Sequence, residues 1–236
     1  MNTAFLAFLL ADVGWTGLAA PRGRAPEDPG RTSLPALALQ TPLFLLAYWL
    51  AWRHGVFTRA LVSPLAVVLG LALGHLVFAF SLYATHRVWR DTLSHACDLR
   101  GLGGFLADNP VIMMRFFSVA TVEEIIYRAA AQPLLLGLPG GAWTAIAATA
   151  LLFSLVHDHF YHNSAAGSAE FLAFALLLGL LYHVTGSLTL VIMVHVMRNL
   201  ESVYLEYLVL VDETGDTEQA RLALNSAHTH RPTESL

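Results

Sequence analysis

The chain has 236 residues, of which 56% are hydrophobic and 13% charged, with a mean hydropathy of +0.58. A soluble domain is about 25% charged, so this composition excludes an ordinary soluble enzyme and a disordered chain. Its 13 basic residues, all arginine, face 17 acidic ones, which speaks against nucleic acid as a partner, and the lone Cys97 can close no internal disulfide. What remains is an integral, multi-pass membrane protein whose first partner is the lipid bilayer.

A bilayer core about 30 Å thick takes roughly 20 apolar residues in a helix to cross. In chain order that ruler marks segments at about 3–20, 34–52, 61–84, 111–136, 141–158, 169–185 and 187–211, predicting an all-α polytopic transmembrane helix bundle of about seven spans. The first span carries Asp12 and lacks the basic start of a signal peptide. The third and sixth read as nearly charge-free. Arg22, Arg24 and Arg31 in one loop and Arg87, Arg90 and Arg100 in another, against Arg53 and Arg59 between them, place the first and third loops in the cytoplasm. The chain thus divides into amino-terminal helices and loops (1–110), a polar-bearing core (111–211) and an acidic extramembrane tail (212–236) with little to bury, expected to be disordered.

The informative residues are ionisable groups inside spans. The fourth span holds Glu123, Glu124 and Arg128; the fifth ends on His157 and Asp158; the seventh holds His195, Arg198, Asn199, Glu201 and Glu206. One charge at a helix centre costs roughly 2.5–3.5 kcal/mol against lipid, so these groups must face one another or a hydrated cavity. At about 100° per residue, Glu124 and Arg128 lie on one face and form an ion pair, whereas Glu123 points elsewhere and lacks that partner. A carboxylate so placed, in low dielectric beside a like charge, is a candidate general base. His195 and Asn199 share one face of the last span and read as two neutral hydrogen-bond donors for an oxyanion. Phe153 and His157 share a face of the fifth: the imidazole to hold a water opposite Glu123, the phenyl ring to exclude bulk solvent. The set describes a hydrolase without a side-chain nucleophile.

The order Glu-Glu-x-x-x-Arg (Glu123, Glu124, Arg128), Phe-x-x-x-His (Phe153, His157), His-x-x-x-Asn (His195, Asn199) resembles the signature of the CAAX-protease and bacteriocin-processing family. The resemblance covers roughly residues 111–211. It implies an intramembrane endopeptidase in which Glu123 and His157 activate water, His195 and Asn199 stabilise the oxyanion, and Glu124, Arg128 and Phe153 support the site. The family has been described both as metallo- and as glutamic proteases. Two histidines and a glutamate suit zinc in principle, but the asparagine and the carboxylate pair favour the glutamic reading, with no cofactor. The implied partners are membrane-anchored or lipidated protein substrates cut near the carboxyl terminus. The compact chain resembles bacterial members, in which the leading specialisation is processing of carboxyl-terminal sorting signals, as in myxosortase- and exosortase-like proteins, at the inner (plasma) membrane.

Other signals carry less. The zinc helix HExxH is absent, and His159 and His162 read as interfacial residues. His75 and His183 read as packing residues in apolar helices. A non-enzymatic scaffold, immunity factor or proton-coupled carrier is the alternative use of the same polar cluster; a carrier would favour internal repeats, and none is visible.

Overall fold

The computed structural model describes residues 2–19, 34–59, 63–86 and 89–230. In order these form α1 (Asn2–Ala19), α2 (Leu34–Arg53), α3 (Val56–Arg59), α4 (Pro64–His86), α5 (Trp89–Cys97), α6 (Leu99–Asp108), α7 (Pro110–Glu124), a π-helical turn (Ile125–Ala131), α8 (Gln132–Leu135), α9 (Gly141–Leu155), α10 (Asp158–His162), α11 (Ala165–Thr185), α12 (Leu188–Thr214) and α13 (Thr217–His230). The arginine-bearing loop 21–31, Arg87 and residues 231–236 lie outside the described residues. The protein is an all-helical membrane protein.

Each predicted span falls on helical structure, but the fourth runs through α7, the π turn and α8 and the fifth passes the end of α9. By length and apolarity α4, α11 and α12 qualify, and a fourth arises if Leu99–Asp108 and Pro110–Leu135, bent by 96°, count as one. The fifteen residues of α9 extend only about 22 Å, short of the bilayer core. The count of three or four is of the described residues; the fifth predicted span falls short because the helix breaks after α9, at Leu155.

Local chemistry fixes the starts and stops. Pro110 opens α7 at its first turn. Ser164 and Ser187 cap α11 and α12 through hydroxyls that accept from the Gly167 and Leu190 amides, both at 3.2 Å. Gly186 and Gly215 end the same two helices at φ +63° and +67°, a left-handed conformation that a side chain would oppose.

The central packing is α4 on α12. Gly70 and Gly74 are four residues apart, and a Cβ on either would come within 2.8 Å of the Leu190 or Val194 carbonyl oxygen. Small residues at this spacing let two backbones touch, the usual way for helices to associate in lipid. The opposite face of α4 presents Val68, Leu76 and Phe80, each more than 60% exposed, as lipid-facing surface.

Two expectations are corrected here. The tail is not featureless: α13 folds back with Ala220 and Leu224 fully buried against the core. An alanine and a leucine one helical turn apart form a short apolar stripe, which overall acidity conceals. His75 is no mere packing residue, since its Nδ1 lies 2.6 Å from Glu201 Oε1 across the α4–α12 seam.

Candidate active site

Three elements bring the motif residues together. Glu123 and Glu124 end α7, His157 follows α9, and His195 lies in the second turn of α12. Glu124 is fully buried and its Oε1 accepts from Arg128 Nη1 at 3.2 Å and from His195 Nδ1 at 2.8 Å. The expected ion pair with Arg128 therefore forms. It does so where α7 widens into the π turn, which carries Arg128; such turns are frequent at functional sites.

The sequence reading gave Glu123 no partner on its own helix and set His157 opposite it across a water; the structure adds His195. Glu123 Oε1 lies 3.4 Å from His157 Nε2 and its Oε2 lies 3.6 Å from His195 Nε2. His195 comes from another helix, so one-helix geometry could not find it. His195 thus stands between the two glutamates, one at each ring nitrogen.

Proton positions follow from the partners. The Phe153 carbonyl can only accept, so His157 Nδ1, 2.6 Å away, carries the hydrogen and its Nε2 keeps a lone pair toward Glu123 when the ring is neutral. His195 Nδ1 likewise donates to Glu124, which alters the expectation of a neutral donor. His195 offers a second N–H at Nε2 only as imidazolium, with the Glu124 and Glu123 carboxylates beside it to balance the charge.

His157 is not on a continuous helix with Phe153, as the four-residue spacing predicts. α9 stops at Leu155, and His157 is extended at φ −100° and ψ 116° before α10 begins. The break turns the ring while keeping it 4.6 Å from Phe153. Phe153, fully buried, also meets Tyr127 at 5.2 Å, Phe171 at 5.5 Å and His195 at 5.7 Å. Asn199 is buried one turn beyond His195 on α12. Among the described residues its amide makes no hydrogen bond, so it stays uncommitted beside the site.

Several contributors escaped the sequence reading. Gln132, one turn after Arg128, donates to the Gly179 carbonyl at 2.9 Å, and Arg128 Nη2 donates to the Ala175 carbonyl at 3.0 Å, so both hold α11 to the site. Glu170, at the edge of a span read as nearly charge-free, pairs with Arg198 at 2.9 Å and accepts from Ser81 at 2.6 Å. Asp12 of α1, 7% exposed, is hydrogen-bonded by Gln40 and lies within electrostatic reach of His157. The amino-terminal helices, which carry no motif, therefore help to enclose the site. An isolated acid in an otherwise apolar span was the available signal.

His159, packed 4.6 Å from the Phe171 ring, has its pKa pushed down to about 3, chiefly by burial and next by the neighbouring His157 and Arg198. His162 is exposed. In type, Glu123, His157 and His195 suit zinc. In disposition they do not, since among the described residues no three His, Cys, Asp or Glu groups are placed to hold one ion.

Residues 106–200 match the family model described as Rce1-like, type II CAAX prenyl endopeptidase Rce1-like, and the match spans every motif residue from Glu123 to Asn199. No curated protein and no solved structure matches the chain. The chain is accordingly an all-helical membrane protein whose residues 106–200 are similar to the type II CAAX prenyl endopeptidase Rce1-like family.

Proposed function

We propose that the protein is an intramembrane endopeptidase that hydrolyses a peptide bond near the carboxyl terminus of a membrane-anchored or lipidated protein, with water as nucleophile and no metal. One observation carries the reading: Glu123 lies between the Nε2 atoms of His157 and His195, at 3.4 and 3.6 Å, in a site walled by Phe153. Those separations are longer than strong direct hydrogen bonds, so all three groups keep hydrogen-bonding capacity for a water beside them.

In this mechanism Glu123, with the His157 Nε2 lone pair beside it, takes a proton from water as the oxygen attacks the scissile carbonyl carbon. The carbonyl π electrons move onto oxygen, where the His195 Nε2–H and the Asn199 amide donate to the oxyanion. Glu123 then passes its proton to the departing amide nitrogen as the C–N bond breaks, and products leave as acid and amine. Glu124 and Arg128 hold His195 in register throughout.

Within this activity the leading specialisation is removal of carboxyl-terminal sorting signals at a bacterial inner membrane.

The test is cleavage of a farnesylated CAAX-type peptide by the full chain in lipid vesicles. Wild type cleaves; Glu123→Gln inserts normally and does not; a strong chelator leaves the rate unchanged. Equal cleavage by Glu123→Gln would overturn the mechanism, and inhibition by chelator reversed by zinc would overturn its metal-free form. Uncut carboxyl-terminal tails on surface proteins after gene deletion would identify sorting signals as the substrates.

A further inference from the structure

His195 sits at the centre of an aromatic and cationic frame, of which the motifs account for half. Phe153 and Phe174 each meet the imidazole edge-on, at 5.7 and 5.5 Å and the same interplanar angle of 74°. Over the face of each phenyl ring lies a guanidinium, Arg128 at 4.6 Å from Phe153 and Arg198 at 4.5 Å from Phe174. Each guanidinium is anchored by a glutamate: Arg128 by Glu124 at 3.2 Å, and Arg198 by both oxygens of Glu170 at 2.9 and 3.1 Å.

Both arginines leave Nε buried and without a hydrogen-bond partner. A guanidinium placed only to tie helices together would be expected to use its fork of donors more fully. These two instead lie over a ring, the arrangement that cation–π attraction favours in a dry setting. Both also act on α11: Arg128 donates to the Ala175 carbonyl, and Arg198 holds Glu170, the residue before Phe171. Phe171 in turn meets His157 at 5.0 Å. The setting of α11 therefore fixes rings against both imidazoles at once.

We infer that Arg198, held by Glu170, which also accepts from Ser81, and stacked on Phe174, is a positioning residue for His195, completing a frame whose other half is Arg128 on Phe153. The inference rests on the endopeptidase reading only for its kinetic consequence. The imidazole must aim Nε2–H at a developing oxyanion about 2.7–3.1 Å away, and the single hydrogen bond at Nδ1 leaves the ring free to rotate about it. Two edge-on phenyl contacts, each pinned by a cation, remove that rotation. Misplacement of a catalytic group by about 1 Å costs on the order of 100-fold in rate.

The test uses the full chain in lipid nanodiscs, 15N-labelled at histidine, with the His195 signals assigned by their loss in His195→Gln. Arg198→Met alone would strand the Glu170 carboxylate, so the informative variant is the neutral pair Glu170→Gln with Arg198→Met; Phe174→Leu, which keeps the ion pair, gives a second route if the pair variant fails to insert. The wild type is expected to give one sharp His195 ring set, and both variants a shifted or doubled set. Arg198→Lys should recover part of the wild-type signal. With the farnesylated peptide, kcat should fall about 10- to 100-fold while KM stays within about twofold. His195 signals superimposable on wild type in the inserted variants would overturn the inference. If Glu123→Gln still cleaves, the endopeptidase reading fails by itself, while the His195 spectrum, read without substrate, continues to decide the frame.

Discussion

Glu123 and Glu124 are adjacent, yet they should fail in opposite ways when each is replaced by glutamine. Glu124 is fully buried, and one oxygen serves both Arg128, itself 1% exposed, and His195, at 3.2 and 2.8 Å. Glu124→Gln leaves the guanidinium buried without its counter-charge, a loss of about 3–5 kcal/mol for a pair of this kind. That is roughly a 140- to 4,000-fold shift in the folding equilibrium at about 1.4 kcal/mol per factor of ten. The Glu123 side chain is 21% exposed and its contacts of 3.4 and 3.6 Å are long. Its ionic contribution is accordingly small, within about 1 kcal/mol. As the general base, however, it carries about 10²- to 10⁴-fold of rate. Denaturation by SDS in mixed micelles measures the first quantity, and peptide cleavage normalised to folded protein measures the second. The expected pattern is a stable, inactive Glu123→Gln and an unstable Glu124→Gln. Equal destabilisation by both would show Glu123 to be a structural clamp and refute the reasoning.

The α4–α12 seam should resist any added carbon: Gly74→Ala places a Cβ 2.7 Å from the Val194 carbonyl and is expected to cost about 1–3 kcal/mol in SDS unfolding, with little change for Gly103→Ala, where a Cβ meets nothing within 4 Å. Leu224→Ala in α13, a fully buried site, should cost about 2–5 kcal/mol if the carboxyl-terminal helix is part of the folded body, read by the same unfolding curve or by proteolysis. His159 has its pKa held near 3 by burial, below the unfolded value of about 6.5. The unfolded chain therefore binds the proton first, so this group's contribution to stability is intact above about pH 6.5 and declines as pH falls toward 3. Unfolding midpoints compared at pH 7 and 5 should drop less for His159→Gln than for wild type; equal drops would remove His159 from the acid response.

The helical membrane class was written in composition and in the length of apolar runs, because the cost of exposing a backbone or a charge to lipid acts on every residue of a span. The motif residues were legible for a related reason: charges are rare enough in apolar helices that Glu123, Glu124, Arg128, His157 and His195 stand out singly. The Glu124–Arg128 pair was legible in full, since both partners lie on one chain segment and helical periodicity alone sets their faces. What lay beyond the sequence is what depends on two segments meeting. The placing of His195 beside Glu123, the Glu124 carboxylate that accepts from His195 Nδ1, and the Arg198–Phe174 half of the frame all join residues whose separation along the chain says nothing of their distance in space. The π turn at Ile125–Ala131 and the extended break at His157 belong with these. Helix propensity does not encode either one; they are local distortions that tertiary packing holds in place, and they aim the groups on which the proposed chemistry depends.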